Sequence, residues 1–205
     1  MSWSVVVRDT LNDAVLVEAE NGVRVIEGEA VVVIRGFDPP VVVPPGSGRV
    51  LNLYLRRDAF DVPPRAIVQF LLDEQPVFWG PATVVPHPES PGAGPFDEDR
   101  DALERVTVVG GEQLLRDSVL GARMLEGEYD VSEIALELCE LYAHAALTID
   151  EANFPLTGAV LSAWYAPEKT LYDALQTLVN TVPGGATAWV DAEGRVRFEA
   201  LDPAS

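Results

Sequence analysis

Two pieces of the stretch Asp130–Leu201 decide the fold: Thr170-Leu171-Tyr172-Asp173-Ala174-Leu175-Gln176-Thr177-Leu178-Val179, and Ala188-Trp189-Val190-Asp191-Ala192-Glu193-Gly194-Arg195-Val196-Arg197-Phe198-Glu199. The first places Leu171, Ala174, Leu175, Leu178 and Val179 at steps of three and four, the stripe of a helix with one buried face. Thr170 is its expected N-cap, and Pro183-Gly184-Gly185 ends it because proline cannot continue the hydrogen-bond ladder. The second alternates with a period of two on either side of Asp191–Gly194, a hairpin whose glycine supplies positive φ. Upstream, Val131, Ile134, Ala135, Leu138, Leu141, Tyr142 and Ala145 predict an earlier amphipathic helix. Asp130, with Glu133 three residues on, is its start signal, in the pattern of a capping box.

The order is helix, apolar extended segment ending near Trp164-Tyr165, helix "Thr-Leu-x-x-Ala-Leu-x-x-Leu", then "Trp-Val-Asp-x-x-Gly-Arg-Val-x-Phe". It resembles the tail hub proteins of bacteriophages, a family that includes late-control tail proteins and the hub part of the type VI secretion spike. The phrase Phe70-Leu71-Leu72-Asp73-Glu74-Gln75-Pro76-Val77-Phe78-Trp79-Gly80-Pro81-Ala82 is similar to the central hairpin of hub barrels. The resemblance implies an α+β protein: an antiparallel, tail-tube-like β-barrel followed or interrupted by a small α+β domain with two helices and a C-terminal β-hairpin. Residues 1–112 would be the barrel and 113–205 the α+β domain, with 195–200 alternatively a strand returning to the barrel. The family carries no catalytic, cofactor or metal residues onto this sequence. It implies a structural part of the virion tail, a baseplate or tail-tip hub, and a homo-oligomer, trimeric in the family. Its neighbours would be the tube, the distal tail ring and a central spike or fibre. Larger hubs add a second barrel, a departure that leaves the stoichiometry of this ring open.

The first half reads as β throughout. Trp3–Arg8, Ala14–Glu18, Val23–Ile26 and Ala30–Arg35 are short β-branched runs, punctuated by Asn12-Asp13, Asn21-Gly22 and Glu27-Gly28. Val41–Val43, framed by Asp38-Pro39-Pro40 and Pro44-Pro45-Gly46, suits only an edge or an extended loop. Leu51, Leu53 and Leu55 alternate with Asn52, Tyr54 and Arg56, as in a strand with one face on a core. Ala66–Leu72 and Val77–Val85 flank a turn at Asp73–Pro76. The prolines and acidic residues of Pro86–Asp101 predict a mobile loop, after which Arg105–Val109 resumes the strand pattern. Gly110-Gly111 then opens a short helical turn carrying Leu114 and Leu115.

Composition removes whole classes of function. With 33 acidic residues against 14 basic, the net charge is −19, and Lys169 is the only lysine. Such a surface repels phosphate polymers and anionic membranes, so DNA is expected to pass without stable binding. Apolar runs such as Ala30–Ile34 are too short to span a bilayer, and the start at Met1-Ser2-Trp3 shows no secretory pattern. Cys139, the one cysteine, excludes an internal disulfide and reads as a small buried apolar residue beside Leu138.

Asp97-x-Asp99-x-Asp101 has calcium-loop spacing at its start, but Ala102 stands where that loop needs glycine and Val108 where it needs a bidentate glutamate. His87 lies between prolines and His144 near a helix end, where a cation suits the dipole; neither has zinc-site spacing. No nucleophile elbow, phosphate loop or dinucleotide fingerprint occurs. Glu137 and Glu140 supply the raw material of a carboxylate pair, yet they sit on the polar flank of a helix, the place of a solvated surface. The expected function is therefore non-enzymatic. A distal tail ring-type baseplate protein and a tail-associated cell-wall hydrolase are the alternatives.

Overall fold

In a computed structural model the described residues are 3–8, 15–20, 33–35, 50–56, 66–85 and 103–201. The chain is α+β and divides into two compact units between Gly110 and Gly111.

The first unit holds β1 (Trp3–Arg8), β2 (Val15–Glu20), β3 (Val33–Arg35), β4 (Val50–Arg56), β5 (Ile67–Leu72), β6 (Gln75–Val85) and β7 (Leu103–Val109). They form one antiparallel sheet in the order β2-β1-β5-β6-β7-β4-β3. Leu72 pairs with Gln75 across the two-residue turn Asp73-Glu74, whose φ values of 48° and 66° are those of a primed hairpin turn. β6 is long because it serves two partners: Gln75–Pro81 pairs with β5, and Ala82–Val85 with β7. Just before the change of partner, a Cβ at Gly80 would lie 1.8 Å from the Val109 carbonyl oxygen, so only glycine admits that backbone approach. Ala66, Val68, Phe70, Phe78, Ala82 and Val108 are buried around this corner.

Among the described residues no pairing joins β2 to β3, so the sheet is seen as a sheet and not as a closed barrel. The runs Val23–Ile26 and Val41–Val43 and the loop Pro86–Asp101 lie outside the described residues, as does the facing of Leu51, Leu53 and Leu55 within β4.

The second unit holds α1 (Glu112–Asp117), β8 (Val119–Leu120), β9 (Arg123–Asp130), α2 (Val131–Tyr142), a 3-10 turn (Glu151–Asn153), β10 (Val160–Ala166), β11 (Lys169–Thr170), α3 (Leu171–Val179), β12 (Ala186–Val190) and β13 (Val196–Ala200). Both helix starts follow their sequence signals. Asp130 and Glu133 make a reciprocal capping box, and Thr170 Oγ1 accepts from Asp173 N at 3.1 Å. The β12–β13 hairpin alternates strictly, with Ala186, Ala188, Val190, Val196 and Phe198 inward. Against that face pack α2, through Ile134, Ala135 and Leu138, and α3, through Leu171, Ala174, Leu175 and Leu178. Among the described residues β13 has β12 as its sheet partner.

Leu141 differs from the expected stripe. It shares the angular position of Ile134, seven residues earlier, yet is 55% exposed. Leu138 and Cys139 are the last buried residues of α2, Glu140 and Leu141 beyond them are exposed, and the chain leaves the helix at Ala143.

Candidate functional site

Asp130 is the most heavily bonded side chain of the second unit. Its Oδ1 accepts from Ser132 N and Oγ and from Thr157 N and Oγ1, and its Oδ2 accepts from Gly158 N at 2.7 Å. Burial opposes ionisation of this carboxyl, but the hydrogen bonds from Thr157 and Ser132 outweigh it and hold the group below the ordinary carboxylate range. One carboxylate thus joins the end of β9, the start of α2 and the approach to β10. All five bonds come from the chain's own donors, so the arrangement reads as a structural fastener.

The residues considered for chemistry are dispersed or occupied. Cys139 is buried, and its thiol is pushed up to about 12 by burial and then by Glu140, which makes it unreactive. Glu137 pairs with Arg123 of β9, and Glu140 is exposed. The helix flank is therefore not simply solvated, because Glu137 ties α2 to the ribbon beneath. His144 lies past the helix end and uses Nδ1 to accept from Ala146 N at 3.1 Å, a local turn contact. His87, Asp97, Asp99 and Asp101 lie outside the described residues. Among the described residues no three His, Cys, Asp or Glu side chains cluster as metal ligands, and no helix is long and apolar enough to cross a membrane.

What sequence reading missed is a surface. β9 and β10 form a two-stranded antiparallel ribbon in which Met124 faces Tyr165, Glu126 faces Ala163 and Tyr129 faces Leu161. The inner face carries Trp164 and Ala166, both buried, and the side chain of Arg123 on Glu137. The outer face is open, with Met124 60%, Tyr165 62% and Tyr129 37% exposed. A register shift in β9 opposite Leu161–Ala163 places Gly127 at φ 136°, and a Cβ there would meet the Tyr129 ring at 2.8 Å. This β-bulge lets Tyr129 lie close over the backbone. The available signal was the clustering of Met124, Tyr129, Leu161 and Tyr165, which reads as core until the pairing is known.

No protein-family model and no curated protein matches the chain. Among solved structures it is similar to the 43 kDa tail protein of prophage MuSo2 from Shewanella oneidensis, with a TM-score of 0.55 and 12% identity, covering 97% of this chain and 56% of that one. It is also similar to the tail protein from Neisseria meningitidis MC58, with a TM-score of 0.51 and 16% identity, covering 96% of this chain and 51% of that one. The chain spans about half the length of each. At such identities the likeness is one of fold, and it agrees with the resemblance read from the hairpin motif: the chain has the fold of phage tail proteins.

Proposed function

We propose that this chain is a structural component of a phage tail, a baseplate or tail-tip hub that joins the tail tube to the tip complex and lines the DNA channel. The observation that carries the reading is the likeness of fold to tail proteins over 97% and 96% of the chain. In this reading residues 1–112 form a tube-like barrel and 113–205 the α+β domain. Copies close into a trimeric ring, with the tube, the distal tail ring and a central spike or fibre as neighbours in the virion.

The charge suits that task. Duplex DNA carries a phosphate every ~1.7 Å of its axis, and a basic wall would hold it through counterion release. An acidic wall repels it over a Debye length of ~8 Å at physiological salt, comparable with the clearance around DNA in a narrow tube. With 33 acidic side chains and one lysine, carboxylates are available to face the lumen, and Asp97, Asp99 and Asp101 are candidates for it.

The test is electron microscopy of the purified chain together with a DNA retention assay at low salt. The expected outcome is a closed threefold ring with no DNA retention. A persistent monomer, a sixfold ring of the distal-tail type, DNA retention, or cleavage of peptidoglycan in a parallel assay would each overturn it.

A further inference from the structure

We propose that the outer face of the β9–β10 ribbon is a docking surface for a different protein that is basic. That protein would lay an extended segment along the ribbon, its apolar side chains over Met124 and Tyr165 and a Lys or Arg side chain against Glu126. The inference rests on the second unit alone and does not require the ring.

Three observations carry it. The face is apolar where it is open: Met124 and Tyr165 are directly opposed and each about three-fifths exposed, with Ala163 exposed and Leu161 and Tyr129 beside them. Contiguous exposed apolar surface of this kind marks an interaction site. Second, β9 and β10 have only each other as sheet partners among the described residues. Their outer edges therefore present backbone donors and acceptors that an added strand can meet.

Third, charge selects the occupant. Glu126 shares the open face with Met124 and Tyr165, is exposed, and among the described residues has no cation partner, whereas exposed Glu128 lies in the bulge opposite Ser162, off that face. The cations of residues 111–201 are already engaged. Arg123 is on Glu137, Arg195 on Glu193, Arg197 on Asp191 at 2.9 Å, Arg116 over the Tyr172 ring at 3.6 Å, and Lys169 on Thr177 Oγ1 at 2.9 Å. A second copy using the same face would bring Glu126 against an equally acidic surface with no cation on that face to offset it, in a chain already at −19. A partner with basic residues flanking apolar ones meets both features at once.

The experiment uses the full chain and synthetic twelve-residue peptides as probes: one alternating Val and Lys, one alternating Val and Glu, and one alternating Ser and Lys. Backbone amide shifts locate binding, and anisotropy measures it across a salt series. The Val/Lys peptide is expected to shift residues 123–130 and 160–166. The double variant Met124→Ser/Tyr165→Ser should weaken it at least tenfold with an unchanged melting temperature. Glu126→Gln should flatten the salt dependence, and the other two peptides should bind at least tenfold more weakly. Equal binding of the Ser/Lys peptide, shifts spread over the whole acidic surface, or insensitivity to the double variant would mean unspecific attraction and overturn the proposal. So would concentration-dependent self-association abolished by the double variant, which makes the occupant a second copy. Slow hydrogen exchange of the ribbon's edge amides in the free protein would mean that the chain pairs those edges itself, and overturns it too. A ring that survives the double variant while peptide binding is lost separates this surface from the proposed hub assembly.

Discussion

The second unit contains two two-stranded ribbons built by opposite rules. In β12–β13 the inward residues are covered by α2 and α3, and the outward positions hold half-buried Thr187, Trp189, Arg195, Arg197 and Glu199. Its turn is over-determined. Asp191 Oδ1 accepts from Glu193 N and Arg195 N, Asp191 Oδ2 accepts from Arg197 Nε, and Gly194 takes φ 77°. In β9–β10 no turn joins the strands, because α2 and the segment after it intervene. The outward positions are mostly apolar and mostly open, and the register is broken at Gly127. A two-stranded ribbon is marginal alone in water. The hairpin is stabilised by what lies on its inner face, whereas the ribbon keeps a face that nothing in its unit covers. One is framework, and the other has the form of an interface.

The two ribbons share α2, which contacts both β13 and β9. The largest expected effect is therefore Leu138→Asp, which puts an unpaired charge at a fully buried position of that helix. The loss should be several kcal/mol, on the order of a small domain's stability. Thermal unfolding followed by near-ultraviolet circular dichroism checks it, and an unchanged melting temperature would show that the face shared by the ribbons is misplaced.

Next comes Phe198→Ala on the hairpin's inner face, where the side chain is fully buried. Denaturant unfolding should record a loss of about 3–5 kcal/mol.

Asp130 fastens the ribbon to α2, so Asp130→Ala should cost about 2 kcal/mol at neutral pH through the lost cap and the orphaned Thr157 and Gly158 donors. Its folded-state pKa lies below the value of 3.8 that it has when unperturbed. The contribution is therefore present in full above that pH and is lost as the pH falls through the folded value. Stability measured from pH 6 down to pH 2 should fall more steeply in the parent than in Asp130→Ala. Parallel slopes would contradict the assignment.

Gly194→Ala tests the hairpin turn and should cost about 1 kcal/mol for a left-handed non-glycine residue. The smallest effect is Tyr165→Ala on the open ribbon, within about 0.5 kcal/mol of the parent. A loss as large as that of Phe198→Ala would erase the distinction between the ribbons.

The difference also explains what the sequence disclosed. The hairpin and both long helices were legible because each carries its own punctuation: Asp130 with Glu133, Thr170, and Asp191 with Gly194. β9 was not. Arg123-Met124-Leu125-Glu126-Gly127-Glu128-Tyr129-Asp130 breaks its alternation at the bulge, and its partner lies beyond an intervening helix, so only tertiary pairing makes it a strand. Leu141 was misleading for a related reason: periodicity gives a direction, but whether another element covers that direction is decided elsewhere in the chain. In the first unit the Trp79-Gly80 phrase was readable as a hairpin. That Gly80 is required there, two residues before β6 changes partner, became visible only through the Val109 carbonyl beside it.

The hub assignment is tested most directly by cross-linking and imaging intact phage particles that carry this chain, with a label fused at its second unit. The expected result is threefold label density at the tip end of the tail tube, with cross-links to tube or spike proteins. Label absent from the particles, or sixfold density in a ring distal to the tube, would contradict it.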